Sequence, residues 1–242
     1  MTAKTKKIII IGATSGIGRE MALIYLKQGH LVGVTGRRKW LLEELKNQFP
    51  HQVITACFDV QDPDIFRYLD HMNQKMQGFD MLIYNAGVGF PSKYLDTERE
   101  LQTIQINVNG FVSAANYAFQ HFLQQGYGQL AVITSIAGLR SNSWSPAYSA
   151  SKAFASNYAQ GLSMKAYRMK ANIVVTDIRP GFINTKKAEG HSRFWEASPM
   201  KAAGQIISAI EKKKQVAYIT KRWWLIALLL KVLPYTLVKR IL

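Results

Sequence analysis

Short apolar runs alternate along this chain with longer stretches of helical periodicity, and that alternation constrains the fold more than any other feature. Residues 7–11 read as a buried strand. They precede a helix over 16–29 whose apolar face carries Met21, Leu23, Ile24 and Leu26. The pairing repeats as strand 30–35 with helix 39–49, strand 52–58 with helix 65–76, and strand 79–84 with 98–125, one long helix or two. Strand 129–134 precedes helix 147–167, strand 172–178 precedes helix 201–211, and strand 215–220 closes the series. Strands that are mostly apolar belong to a sheet covered on both faces, and intervening helices make neighbouring strands parallel. Right-handed crossovers then give an α/β fold, a single doubly wound parallel sheet of seven strands with helices on both faces. Its ligand is expected beyond the strand C-termini.

Composition narrows the chemistry. Of 242 residues, 48% are apolar and 11% aromatic, enough for a sizeable core. The lone cysteine, Cys57, excludes a disulfide framework, a cysteine-based zinc cluster and an iron–sulfur site. The five histidines show no HxH or HExxH spacing, so no protein-bound metal is expected. Lys4, Lys6 and Lys7 before four isoleucines imitate a secretion signal, but the apolar run stops at Gly12, too early for one. A cytoplasmic, reducing setting is expected.

Directly after the first strand comes Gly12-Ala13-Thr14-Ser15-Gly16-Ile17-Gly18. Glycines allow a tight turn and a close backbone approach to a pyrophosphate, and the following helix aims its free N–H groups and positive dipole end at that anion. A glycine-rich stretch alone often marks only a tight turn; its place between first strand and first helix favours a dinucleotide.

The GxxxGxG spacing resembles the short-chain dehydrogenase/reductase family, and further motifs follow in the family's order. Asn85-Ala86-Gly87 is similar to its NAG motif, Asn107 to its helical asparagine, and Ser135 to its serine at the end of strand five. Tyr148 and Lys152 match its YxxxK pair, and Pro180, Gly181 and Thr185 its PGxxxT. The resemblance spans roughly residues 7–220 and implies a Rossmann-type, dinucleotide-binding catalytic domain over 1–220, with 221–242 a separate apolar and basic tail. One departure is Ile11, where the family usually has a threonine that ties neighbouring turns together.

Tyr148 and Lys152 are four residues apart on an expected helix and so share a face. A phenol near pKa ~10 is a poor acid–base catalyst at neutral pH, and a nearby ammonium favours its anion. Ser135, at a strand end facing the crevice, is placed to hydrogen-bond a carbonyl oxygen. The resemblance implies more: Tyr148 protonates that oxygen as hydride arrives, Lys152 also holds the nicotinamide ribose, and Asn107 holds a water linking Lys152 to solvent. Taken singly, each residue is ordinary. Taken together behind a dinucleotide turn, they point to catalysis.

At the end of strand two an acidic residue normally grips the adenosine ribose and selects NAD. Here stand Arg37 and Arg38, with no Asp or Glu, and a guanidinium can grip a 2′-phosphate bidentately. The expected cofactor is therefore NADP(H). Asp59 and Val60 resemble the pair that flanks the adenine, and Pro180, Ile183 and Thr185 those bordering the carboxamide.

Residues 182–199 mix basic and aromatic side chains (Lys186, Lys187, His191, Arg193, Phe194, Trp195), and 141–145 with Trp144 offers another pocket wall. The net charge is +16, yet residues 201–242 hold nine lysines and arginines against Glu211 alone. Their sequence Lys221-Arg222-Trp223-Trp224, Leu225 to Leu230, Lys231 and Pro234 is too interrupted for a span of about 20 apolar residues. It suits two short helices lying at an anionic membrane surface, with tryptophans at the lipid boundary. Folding back onto the sheet or pairing with another subunit are the competing expectations. Nucleic acid is not an expected partner, because the basic residues flank apolar runs rather than line a groove.

The leading expectation is thus an NADPH-dependent oxidoreductase interconverting a carbonyl and a secondary alcohol. Its small-molecule substrate is expected to be lipid-like, with peripheral membrane contact through 221–242, and the resemblance implies a homodimer or homotetramer built on the long helices, about 98–125 and 147–167. An epimerase or dehydratase on the same fold, or a non-catalytic membrane-associated NADP(H) sensor or scaffold, are the alternatives.

Overall fold

The computed structural model describes residues 5–184 and 195–241. Seven strands form one parallel sheet in the order β3-β2-β1-β4-β5-β6-β7. They are β1 (Lys7–Ile11), β2 (Leu31–Gly36), β3 (Val53–Cys57), β4 (Met81–Tyr84), β5 (Tyr127–Ile133), β6 (Asn172–Pro180) and β7 (Val216–Ile219). The first four helices are α1 (Gly16–Lys27), α2 (Lys39–Gln48), α3 (Ile65–Met76) and α4 (Thr97–Ile104). They are followed by α5 (Gly110–Gln125), α6 (Pro146–Arg168), α7 (Pro199–Glu211), α8 (Trp223–Val232) and α9 (Tyr235–Ile241).

The strand order reverses between β1 and β4, and a crevice at such a switch point is where doubly wound sheets bind ligands. Strand β1 shows how the sheet is buried from both sides. Ile8 and Ile10 pack with Met21 and Tyr25 of α1, Leu42 of α2 and Ile206 of α7. Ile9 and Ile11 turn the other way, onto Leu69 of α3, Phe111 and Phe122 of α5 and Leu162 of α6. All four isoleucines are fully buried, each worth roughly 1.5–3 kcal/mol.

The stretch expected as one helix or two begins at α4, capped by the Asp96 carboxylate, which accepts from Arg99 N. It runs on through a π-helical turn, Gln105–Asn109, into α5 without a break. That turn carries Asn107, consistent with π-bulges marking functional positions. Strand β6 extends two residues beyond the sequence reading, because Arg179 and Pro180 pair in register with Tyr218 and Ile219 of β7.

The tail forms α8 and α9, divided at Pro234, whose carbonyl accepts from Leu237 N and Val238 N. Its inner face is buried at Trp223, Ala227 and Val238, while Trp224, Leu225, Leu228 and Val232 stand exposed. Arg140 closes the end of α8, its Nε donating to Leu230 O at 2.9 Å and its Nη2 to Lys231 O and Leu233 O. Among the described residues no helix is long and apolar enough to cross a membrane.

Candidate active site

The turn after β1 is built around Gly12, whose φ of +86° suits glycine. A Cβ there would lie 2.8 Å from the Ala86 backbone, and one at Gly18 would lie 2.2 Å from Gly12 O. Both glycines therefore allow α1 and residues 85–87 to close on the turn. Asn85 Nδ2 donates to Gly12 O at 2.7 Å, and Ala13 N donates to Thr35 O at 2.8 Å, fixing the turn to β4 and β2. Gly16, also at positive φ, opens α1, and Ile17 packs against the core. The first N–H groups of α1 consequently face the switch point.

Arg38 folds over this turn. Its Nη2 lies 2.6 Å from both Thr14 Oγ1 and Ser15 Oγ. Arg37 is more exposed and reaches the Asp59 carboxylate at 3.3 Å. Asp59 therefore holds a guanidinium as well as starting the turn into α3, where its Oδ1 accepts from Gln61 N. Val60 packs beneath, its carbonyl facing Gly110 at the start of α5.

Four polar residues converge at the C-terminal ends of β4 and β5. Asn107 is buried, its Nδ2 donating to Val88 O at 2.8 Å and Ser151 Oγ at 2.9 Å, while its Oδ1 accepts from Val88 N at 2.9 Å. Both amide protons are thus committed to protein, leaving an Oδ1 lone pair for a further donor. Lys152 donates from Nζ to Ile133 O at 2.9 Å. A Cβ at Gly87 would stand 3.2 Å from Lys152 Nζ and 3.3 Å from Asn107 Oδ1, so the 85–87 loop passes directly over both. Ser135 Oγ accepts from Ala137 N, and its hydroxyl engages the Tyr148 phenol. Gly89 covers Tyr148 from above; a Cβ there would meet its ring at 2.7 Å.

Burial pushes the Tyr148 phenol up, and the hydrogen bond with Ser135 draws it back down. The sequence reading gave that lowering role to Lys152. In the structure the Lys152 ammonium lies over the Tyr148 ring, 5.7 Å from its centroid, and Ser135 lowers the phenol. Burial brings Lys152 itself down to about 8, opposed by the charge of Asp177.

Pro180 ends β6 and Gly181 follows it, its N donating to Ile219 O, while Ile183 makes a bridge with Ala197. Thr185, like Lys186, Lys187, His191, Arg193 and Phe194, lies outside the described residues. The sequence reading set Trp223 at a lipid boundary; it is instead buried, and a Cβ at Gly181 would collide with it at 2.1 Å. Trp223 also packs edge-on to Phe182 and Trp195. Sequence reasoning missed Arg140 and Ser151, whose contacts cross between elements and leave no local pattern.

A glycine turn at the switch point, with a serine, tyrosine, lysine and asparagine gathered at the adjoining strand ends, defines an oxidoreductase of the doubly wound class. The profile described as "short chain dehydrogenase" matches residues 6–194. A mouse protein named dehydrogenase/reductase SDR family member 7B is 30% identical over 237 residues, covering 88% of this chain and 72% of that protein. A probable NADP-dependent dehydrogenase of Haemophilus influenzae is 28% identical over 182 residues, 74% of this chain and 71% of that one. A short chain dehydrogenase structure from Bacillus anthracis superposes with a TM-score of 0.80 at 24% identity, over 89% of this chain and 95% of that one. The chain belongs to the short-chain dehydrogenase family.

Proposed function

We propose that this protein is an NADP(H)-dependent reductase that interconverts a carbonyl and a secondary alcohol. The observation carrying the reading is the convergence of Ser135, Tyr148, Lys152 and Asn107 beside a glycine turn roofed by Arg38. The residues fit the cofactor. Gly12 lets residues 85–87 close on the turn at the head of α1, whose first N–H groups suit a phosphate, and Arg37 and Arg38 supply the cations that a 2′-phosphate requires. The relative named a probable NADP-dependent dehydrogenase agrees with this preference. Asp59, Val60, Asn85, Ala86, Pro180, Gly181 and Ile183 complete the proposed binding surface.

When bound, the nicotinamide supplies or takes up the hydride. Tyr148 gives the carbonyl oxygen its proton, and a phenol kept protonated by burial is suited to the donor role. Ser135 positions that oxygen through the hydroxyl that already engages Tyr148. Lys152 contributes a positive charge beside the ring and ribose contacts, while Asn107 fixes Val88 and α6 in register around it.

We infer further that the substrate is lipid-like and that the tail rests on an anionic membrane surface. What supports this is the exposed apolar face of α8, with Trp224 53% and Leu225 56% accessible, flanked by Lys221, Arg222, Lys231, Lys239 and Arg240. Exposed Phe154, Met164 and Tyr167 on α6 support self-association through the long helices. The catalytic reading is tested by Tyr148→Phe, which should abolish carbonyl-dependent NADPH oxidation while NADPH still binds. Unchanged turnover would overturn it.

A further inference from the structure

Behind Lys152 lies a polar cluster that the proposed reaction does not use. Asp177, on β6, is buried with 4% exposure. Its Oδ1 accepts from Thr134 Oγ1 at 2.5 Å, and its Oδ2 accepts from Ser156 Oγ at 2.6 Å and Arg179 Nε at 2.7 Å. Arg179 Nη2 also lies 2.7 Å from Asp177 Oδ2 and donates to Ser156 Oγ, while its Nη1 donates to the Tyr218 hydroxyl of β7 at 3.1 Å. The groups bonded to the Asp177 carboxylate are thus Thr134 after β5, Ser156 of α6 and Arg179 of β6, with Tyr218 of β7 behind Arg179, and its charge reaches Lys152 of α6.

This cluster and the Lys152 site are joined at two points. Thr134, which holds Asp177, follows Ile133, whose carbonyl holds Lys152 Nζ. Ser156, which also holds Asp177, lies one helical turn beyond Lys152 on the same face of α6. A buried ammonium supported by one carbonyl among the described residues is poorly compensated, and a fixed carboxylate nearby is what low-dielectric surroundings demand.

We propose that Asp177 is a positioning residue for Lys152, a buried counter-charge whose strength at the ammonium is set by its pairing with Arg179. The proposal rests on the reading of Lys152 as a working group of the site. Without Arg179 the carboxylate acts on Lys152 uncompensated; without Asp177 the guanidinium stands there as an unpaired positive charge. Charge control therefore moves Lys152 in opposite directions in the two cases, whereas a scaffold role cannot.

The test is an NMR titration of lysine labelled at Cε in the cofactor-free full chain. The Lys152 signal is the one missing from Lys152→Met. The midpoint expected in the wild type is about 8. Asp177→Asn should lower it by about one unit and Arg179→Gln should raise it by a similar amount. The alkaline limb of carbonyl-dependent NADPH turnover should move the same way in each variant. Unmoved midpoints, or shifts of like sign, overturn the proposal. Should Asp177→Asn fail to fold, Arg179→Gln decides alone, a rise supporting the proposal and a fall or no change refuting it. Lys152→Met provides the separation. If it retains turnover, the catalytic reading of Lys152 fails, whatever the midpoints show. If it is inactive while the midpoints stay put, only the counter-charge fails.

Discussion

Lys152 Nζ is bonded to the carbonyl of Ile133 at 2.9 Å, two residues before Ser135. The cation on α6 and the hydroxyl at the end of β5 are therefore positioned by the same short backbone segment. Movement of that segment shifts both, so the site behaves as one unit.

That bond does not offset the full cost of burying an ammonium, and the cost has a sign that pH reveals. The folded-state value of Lys152, about 8, is below the ordinary 10.5. Between those values the unfolded chain binds more protons, so this residue makes stability rise with pH across that window. At pH 7 both states are protonated and the fold bears a penalty of up to about 3 kcal/mol. Lys152→Met should therefore be inactive yet melt higher at pH 7, an advantage that shrinks as pH climbs from 8 to 10.5. Melting curves across that range check it; a Met variant that is less stable at pH 7 contradicts it.

Arg38 holds Thr14 and Ser15 at the lip of the glycine turn, within the region proposed for the 2′-phosphate. Hydrogen bonds to charged groups are worth about 1.5–3 kcal/mol. Arg38→Ala should therefore weaken NADPH binding by roughly tenfold to a hundredfold and leave NADH binding nearly unchanged. Fluorescence titration of both nucleotides measures the contrast, and equal losses for the two would remove Arg38 from phosphate recognition.

Asn107→Ala leaves Val88 N and O without these partners and removes the donor to Ser151 Oγ, whose own proton stays on Tyr148 O. A stability loss of about 2 kcal/mol is expected, together with reduced turnover. Denaturant unfolding alongside steady-state rates tests this, and a fully stable variant would show that the amide is dispensable to the fold.

The sheet was legible because its signal is local. Ile8 to Ile11 are apolar in succession since both faces of β1 are covered, and the glycine turn follows immediately, where Gly12 and Gly18 let residues 85–87 and α1 close on it. Tyr148 and Lys152 were legible through helical spacing. What stayed hidden depends on contacts between distant elements. Nothing near Arg140 shows that it caps α8, and nothing near Gly181 shows that Trp223 fills the space a side chain would take. Asp177 did leave a trace, an acidic residue in a strand that also carries Ile173, Val174, Val175 and Ile178, with Arg179 two residues on along that strand. Spacing placed Tyr148 and Lys152 on one face without saying which atoms meet, so the bond of Ser135 to the phenol could not be read from it.

For the tail, the discriminating variant keeps the buried Trp223 and Ala227 and changes only the exposed face. Replacing Trp224, Leu225 and Leu228 by serine should reduce flotation with phosphatidylglycerol vesicles at least severalfold without lowering the melting temperature. Equal flotation of variant and wild type would reject the membrane surface as partner.

The central claim is hydride transfer to a carbonyl carbon, and isotope tracing follows the transferred atom itself. With NADPH deuterated at the nicotinamide C4 and a reducible ketone, the account predicts one deuterium on the carbinol carbon of the alcohol formed, from one face of the ring only, with one NADPH consumed per alcohol. Product lacking deuterium, or turnover without net NADPH consumption, would contradict it.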